Sequence, residues 1–188
     1  MARKRDEPVR LTRIYTRGGD AGETSIGDGS RVSKLDPVVV AGGEVDELNS
    51  ALGWALVEAA GPIRDVLARV QNDLFDLGAD LTVPRGNEGL RVTQRQVDGL
   101  ERECDAFNES LEPLKSFVLP GGSELAARLF IARAVCRRAE RAVLAAEVNR
   151  LPLIYLNRLS DLLFILGRTA NVGRDEPLWK PGNSRQPA

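Results

Sequence analysis

Between Thr16 and Ser25 the chain reads Thr-Arg-Gly-Gly-Asp-Ala-Gly-Glu-Thr-Ser. Gly18, Gly19 and Gly22 allow successive backbone N–H groups to turn toward one anion, and Arg17, Thr24 and Ser25 add a cation and two hydroxyls. That is chemistry for a phosphate, although the run does not fit the G-x-x-x-x-G-K-[ST] loop and an ordinary glycine-rich loop reads the same way. A second group, Arg133, Arg137, Glu140 and Arg141, falls within about 100° of a helix circumference. Ala126, Leu129 and Leu144 share that sector, so the charges interrupt an apolar stripe and need anionic partners in a cleft or interface. The plainer alternative is a solvated face with intrahelical ion pairs.

Asn157 and Asp161 stand four apart, with Arg158 beside them, in the most apolar segment of the chain. Buried there, each needs a partner, from a neighbouring helix or from a ligand. Glu44, Asp46, Glu47 and Asn49 gather near a predicted helix start, with Asp46 off the Val45-Leu48-Leu52 stripe. Phe117 lies in a connection ahead of Pro120-Gly121-Gly122, where a phenyl ring more often plugs a core.

Helices must position these groups. Residues 15–36 are too rich in glycine for a helix or strand interior and form a loop. Ala41, Val45, Leu48, Leu52 and Ala55 recur at helical spacing over about 38–60, up to Gly61-Pro62. Ile63 to Leu81 continues the period until Val83-Pro84. After a polar connection over 84–92, Thr93 and Gln96 have capping-box spacing for a third helix ending near Leu111. Ser123 caps a fourth, with Glu124 in its first turn, running to about Val148. Pro152 suits the first turn of a fifth, running to about Val172. No stretch alternates as a β-strand does. Rods of roughly 27–37 Å suit a bundle. The fifth is apolar around most of its circumference, which places it at the bundle centre or at a subunit interface.

At 188 residues the chain has room for one domain, expected over 1–188 with a helical core at about 38–172, an N-terminal loop at about 14–36 and a polar tail at about 173–188. Its 26 Lys and Arg against 27 Asp and Glu supply no general field for a nucleic acid. Histidine is absent, which excludes Ser-His and Cys-His triads, Zn-His sites and Glu-x-x-His di-metal bundles. Cys104 and Cys136 make no disulfide framework, and the basic start lacks an apolar run behind it. A cytoplasmic protein with no membrane segment is expected.

Five blocks together resemble the PduO-type ATP:cob(I)alamin adenosyltransferases: Tyr15-Thr16-Arg17-Gly18-Gly19-Asp20, Gly43-Glu44-Val45-Asp46-Glu47-Leu48-Asn49-Ser50, Phe117-Val118-Leu119-Pro120-Gly121-Gly122, Arg137-Arg138-Ala139-Glu140-Arg141 and Leu156-Asn157-Arg158-Leu159-Ser160-Asp161. They follow the family's order across nearly the whole chain. The resemblance implies an all-α, five-helix antiparallel bundle, ferritin-like in outline, assembled as a homotrimer with ATP and corrinoid at subunit interfaces. It implies an ATP loop of Thr16, Arg17, Gly18, Gly19, Asp20, Gly22, Thr24 and Ser25, completed by Lys34. Arg137 and Arg141 would meet the phosphates, Glu140 would hold Mg²⁺, and Asn157 would touch the nucleotide. Asp46 and Arg133 would pair between subunits beside the corrinoid, and Phe117 would exclude the lower axial ligand of cobalt. Relatives commonly carry Lys where this chain has Arg17 and Ala21, and often an aromatic residue at Gly43.

The activity so implied is transfer of the 5′-deoxyadenosyl group of ATP to the cobalt of cob(I)alamin, releasing triphosphate, with Phe117, Arg137 and Glu140 as its catalytic residues. A reductase and an adenosylcobalamin-dependent enzyme would be its partners. The rivals are a carrier that binds corrinoid or nucleotide without chemistry and a purely structural oligomeric bundle.

Overall fold

The computed structural model describes residues 15, 17–83 and 89–183. In chain order it has two short strands, β1 (Glu23–Ser25) and β2 (Arg31–Ser33), and five helices: α1 (Pro37–Leu56), α2 (Gly61–Leu81), α3 (Gln94–Asn108), α4 (Glu124–Ala145) and α5 (Arg150–Thr169). The helix starts have local causes. Asp36 accepts a hydrogen bond from the Val38 N–H at 2.9 Å, with Pro37 opening the first turn. Thr93 and Gln96 form the capping box their spacing predicts. Ser123 accepts from the Ala126 N–H at 3.1 Å and Glu124 follows it.

The ends fall a few residues short of expectation. After α1 the N–H groups of Glu58 and Ala59 turn back three residues to Ala55 and Leu56, tightening the last turn instead of extending the helix to 60. After α4 Glu147 takes a left-handed φ of 51°, which ends the helix before Val148. Beyond α5 the Asn171 N–H again bonds three residues back, to Arg168.

Cross-links show neighbouring helices running antiparallel. Arg138 on α4 meets Glu44 on α1, whereas Arg128 meets the Trp54 carbonyl. Cys136 donates to the Leu156 carbonyl, whereas Ser123 reaches Ala170 across the same α4–α5 seam. The core is one apolar cluster, and α5 packs on α4, α3 and α2 with Tyr155, Leu156, Leu159, Leu162, Leu163 and Leu166 fully buried. One face of its apolar circumference is therefore used inside the bundle, while Leu153, Ile154, Phe164 and Ile165 are only half-buried.

The strands correct the reading that nothing in the chain alternates like β. Glu23 pairs with Ser33 and Thr24 with Val32, antiparallel, around a tip where Asp28 accepts from the Ser30 N–H at 2.8 Å and Gly29 has φ 85°. Three residues are too few for a period of two to show. The all-helical core is unaffected.

One buried acid ties three segments. Asp80, 1% exposed near the end of α2, accepts from Arg91, the Val92 N–H and Asn149, each at 2.8 Å. It joins α2 to the approach to α3 and to the α4–α5 turn.

Candidate active site

The glycine loop folds back on itself. Asp20 and Gly22 donate their N–H groups to the carbonyls of Arg17 and Gly19, at 3.3 and 3.2 Å. Arg17 is held at φ 60°, a left-handed conformation uncommon outside glycine. Lys34 lies across the loop, since a Cβ on Gly19 would come within 3.0 Å of its Nζ. Arg31 donates to the Gly18 carbonyl at 2.8 Å. Three cations therefore surround Gly18 and Gly19, while Asp20, Gly22 and Ser25 are exposed and Thr24 is half-buried on β1. Thr16 lies outside the described residues. The hairpin rests on the end of α2, where a Cβ on Gly27 would meet Thr82 Oγ1 at 2.7 Å.

On α4 the solvated part of the alternative is met at Arg137 and Arg141, but no intrahelical ion pair joins this group among the described residues. Glu140, half-buried, accepts from Asn157 Nδ2 at 3.0 Å across the seam to α5. Arg158 in turn donates to Asn157 Oδ1 at 2.8 Å and to Glu101 of α3 at 2.7 Å. Arg137 and Arg141 are exposed; Arg141 donates only to the Arg137 carbonyl, and neither makes an ion pair among the described residues. Arg138 faces the other way and is bound by both Glu44 and Glu47, which push its pKa further up. Those two acids are thus spoken for, and Asp46 between them is exposed with no ion pair among the described residues.

Toward the far end of the bundle lies a cleft of about 1020 Å³, lined by Phe117 and Val118, by Arg133 on α4, and by Asp161 and Phe164 on α5. Arg133 is half-buried, its Nε is buried without a hydrogen-bond partner, and its guanidinium lies 5.4 Å from the centre of the Phe164 ring. Phe117 is 76% exposed. It is not the core plug that a lone phenylalanine in a connection suggests. Pro120-Gly121-Gly122 behind it is pinned by Asn171, which donates to the Gly121 carbonyl and accepts from the Ser123 N–H. Gly122 has φ 99°, and a Cβ there would fall 2.3 Å from Asn171 Oδ1, so only glycine fits.

A family model described as cobalamin adenosyltransferase matches residues 14–170. The chain belongs to the cobalamin adenosyltransferase family. It is 52% identical to a corrinoid adenosyltransferase of Mycobacterium leprae, over 93% of this chain and 98% of that one. It is 40% identical to the corrinoid adenosyltransferase of Bacillus subtilis, over 85% and 87%. Its fold is similar to that of a phenylalanine-to-alanine variant of a PduO-type ATP:corrinoid adenosyltransferase from Lactobacillus reuteri, solved with cobalamin and ATP, at a TM-score of 0.85, 35% identity, and 89% and 99% coverage.

In this adenosyltransferase the residues expected at the site form three separate groups. Phe117 and Arg133 share the cleft; Arg137, Glu140, Arg141 and Asn157 share the α4–α5 face; the glycine loop with Lys34 stands at the hairpin. Among the described residues no hydrogen bond or ion pair joins the loop to the α4 arginines, or Asp46 to Arg133. Two contributors, Arg31 and Trp179, escaped the sequence reading, and a third, Arg158, was named there without a role. Arg31 is drawn to Gly18 by the hairpin register, Arg158 orients Asn157, and Trp179 returns from beyond α5 to line the cleft. Arg158 alone had a signal, its place beside Asn157 in an apolar helix.

Proposed function

We propose that the chain transfers the 5′-deoxyadenosyl group of ATP to the cobalt of cob(I)alamin, giving adenosylcobalamin and triphosphate. The observation that carries this is the pairing in one cleft of an exposed Phe117 with Arg133, whose buried Nε has no hydrogen-bond partner, beside Arg137 and Arg141, which make no ion pair among the described residues. Cations without acid partners among the described residues suit a polyanionic ligand.

The Co(I) centre of the substrate attacks C5′ of ATP. A cobalt–carbon bond forms with the cobalt electron pair, the C5′–O bond breaks, and triphosphate leaves with that bond's electrons. No proton moves, so the absence of histidine is no obstacle. The chain's residues supply position and field. Arg17, Gly18, Gly19, Asp20, Gly22, Thr24, Ser25 and Lys34, with Thr16, cradle the triphosphate, while Arg137 and Arg141 stabilise charge growing on the leaving oxygen. Asn157 meets the nucleotide.

Magnesium fits Glu140. Among the described residues no three acids, cysteines or histidines gather as a metal cage. A magnesium ion held by one carboxylate and substrate phosphates needs none. Bound there, it would offset phosphate charge. Phe117 occupies the lower face of cobalt, and loss of an axial donor makes Co(II) easier to reduce, axial ligation being a protein's lever on such a metal.

The chain acts as one domain over 1–188 within a homotrimer. That no hydrogen bond or ion pair joins loop and arginine face among the described residues supports sites completed by a neighbour, where Asp46 of one subunit pairs with Arg133 of the next. Two free thiols support a reducing, cytoplasmic setting, and among the described residues no helix is long and apolar enough to cross a membrane. A reductase and an adenosylcobalamin-dependent enzyme complete the partners.

The test is anaerobic absorbance of chemically reduced cobalamin with MgATP and the protein. A light-sensitive alkyl-cobalt product with stoichiometric triphosphate is expected. Binding of both ligands with no alkyl-cobalt would make the chain a carrier.

A further inference from the structure

Beyond α5 the chain doubles back along the segment that carries Phe117. The Leu119 N–H donates to the Pro177 carbonyl at 2.9 Å, the Trp179 N–H donates to the Phe117 carbonyl at 2.7 Å, and Val118 bridges Leu178 antiparallel. Ser116 Oγ donates to the Trp179 carbonyl at 2.8 Å. The tail thus runs as a short strand beside residues 116–119. Its indole stands 6.0 Å from the Phe117 ring, centre to centre, inclined at 57°, within the range of favourable tilted aromatic pairs.

A latch holds the root of this strand. Arg168, in the last turn of α5 and only 7% exposed, donates from Nε at 2.9 Å and from Nη2 at 3.1 Å to the carboxylate of Glu176. The same guanidinium donates to the Glu112 carbonyl at 2.8 Å, at the opposite end of the Phe117 segment. A bidentate Arg–carboxylate pair out of water is directional. One buried cation therefore fastens both runs of chain that bring Phe117 and Trp179 together.

Phe117 has little else to fix it. Its ring is 76% exposed on a run followed by two glycines of positive φ, and Trp179 is itself 47% exposed. Both rings line the same cleft as Arg133 and Arg168. Two aromatic residues lining a cavity of about 1020 Å³ suit a broad, largely apolar ligand surface.

We propose that Trp179 is a corrinoid-contacting wall of this cleft and the positioning residue for Phe117, and that the Arg168–Glu176 pair is the latch that keeps the tail strand in place. The proposal rests on the corrinoid reading of the cleft. Without the indole, Phe117 loses its ring partner and the macrocycle loses one wall. Without the latch, the strand parts from residues 117–119 and both effects follow together.

The test uses the full chain as Trp179→Ala, Trp179→Phe and Glu176→Gln, with cob(II)alamin as the titrant and no turnover required. Trp179→Ala should weaken equilibrium cob(II)alamin binding, followed by absorbance, by about tenfold or more, while MgATP affinity and melting temperature stay at the parent values. Trp179→Phe should restore most of the loss, since an aromatic face remains. Electron paramagnetic resonance of bound Co(II) should show more axial-nitrogen splitting in Trp179→Ala and in Glu176→Gln than in the parent, which a merely structural tail would not alter. Parent-like cob(II)alamin affinity and parent-like spectra in Trp179→Ala would overturn the proposal. An unaltered protein that makes no alkyl-cobalt from Co(I) and MgATP would instead sink the transferase reading, and the binding and spectral arms would still decide the role of Trp179.

Discussion

Asn157 donates its side-chain amide to Glu140 at 3.0 Å, from α5 to α4, and its own oxygen is occupied by Arg158. With Arg158 also bound to Glu101 on α3, the amide is oriented from outside, and one oxygen of Glu140 is committed to it. The helix seam thus sets the aim of the acid proposed for magnesium.

Replacing Asn157 by Asp sets a second carboxylate against Glu140 and removes the donor. Like charges at that distance favour protonation of one of them. The KM for MgATP should rise by roughly 10- to 100-fold, the worth of a hydrogen bond to a charged group. Steady-state kinetics over MgATP concentration reads this, and an unchanged KM would dissociate Asn157 from the nucleotide.

Arg137 and Arg138 are neighbours with opposite duties. Arg137 has no ion pair among the described residues, so Arg137→Ala should keep its melting temperature and lose about 10²- to 10³-fold in turnover, the cost of removing one donor from a developing anion. Arg138 is tied to Glu44 and Glu47, so Arg138→Ala should melt earlier and turn over normally. Calorimetry paired with product formation separates the two, and the reverse assignment of losses would refute it.

Asp80→Ala leaves Arg91, the Val92 N–H and Asn149 without their shared acceptor. Breaking a buried ion pair from one side costs about 3–5 kcal/mol. For a chain of this size that lowers the melting temperature by roughly 10 °C. Urea unfolding measures it; a loss under about 1 kcal/mol would show that water replaces the carboxylate.

The thiols should be inert at neutral pH. Burial, with Asp161 and Asp105 nearby, pushes Cys104 up to about 11 from 9.0, and burial pushes Cys136 up as well. The native state thus prefers the neutral thiol, a contribution to stability present in full below pH 9 and lost as pH rises through about 11. At pH 8 Ellman's reagent should label Cys104 slowly, at a rate still climbing beyond pH 9, and leave Cys136 untouched until the chain unfolds. Rapid stoichiometric labelling of either at pH 8 would contradict that burial.

The helices were legible because apolar spacing and caps agree over long runs: Ser123 and the Thr93–Gln96 pair stand where their spacing puts them. The hairpin was not, because three-residue strands pair through backbone groups that side-chain pattern does not encode. Asp80 carried an unread signal, an acid set among Leu74, Leu77 and Leu81 on the buried stripe of α2. For the site, the sector shared by Arg133, Arg137, Glu140 and Arg141 was visible, but Leu144 proved 60% exposed where Ala126 and Leu129 are buried, so the stripe drifts outward along α4. Trp179 was invisible, because its place depends on a chain reversal after α5 held by main-chain bonds and one ion pair.

The lack of any hydrogen bond or ion pair between the glycine loop and the arginine face among the described residues has a genetic consequence. If neighbours complete each other's sites, competence belongs to the assembly and not to the single chain. A population carrying Arg17→Ala mixed with one carrying Arg137→Ala would regain activity wherever an intact loop meets an intact face. Conversely, one loop-defective copy among good ones would silence a single site, the one it shares with an unaltered neighbour, whereas a copy defective in both loop and face would silence two, so only the double defect would impair more than the fraction of altered chains.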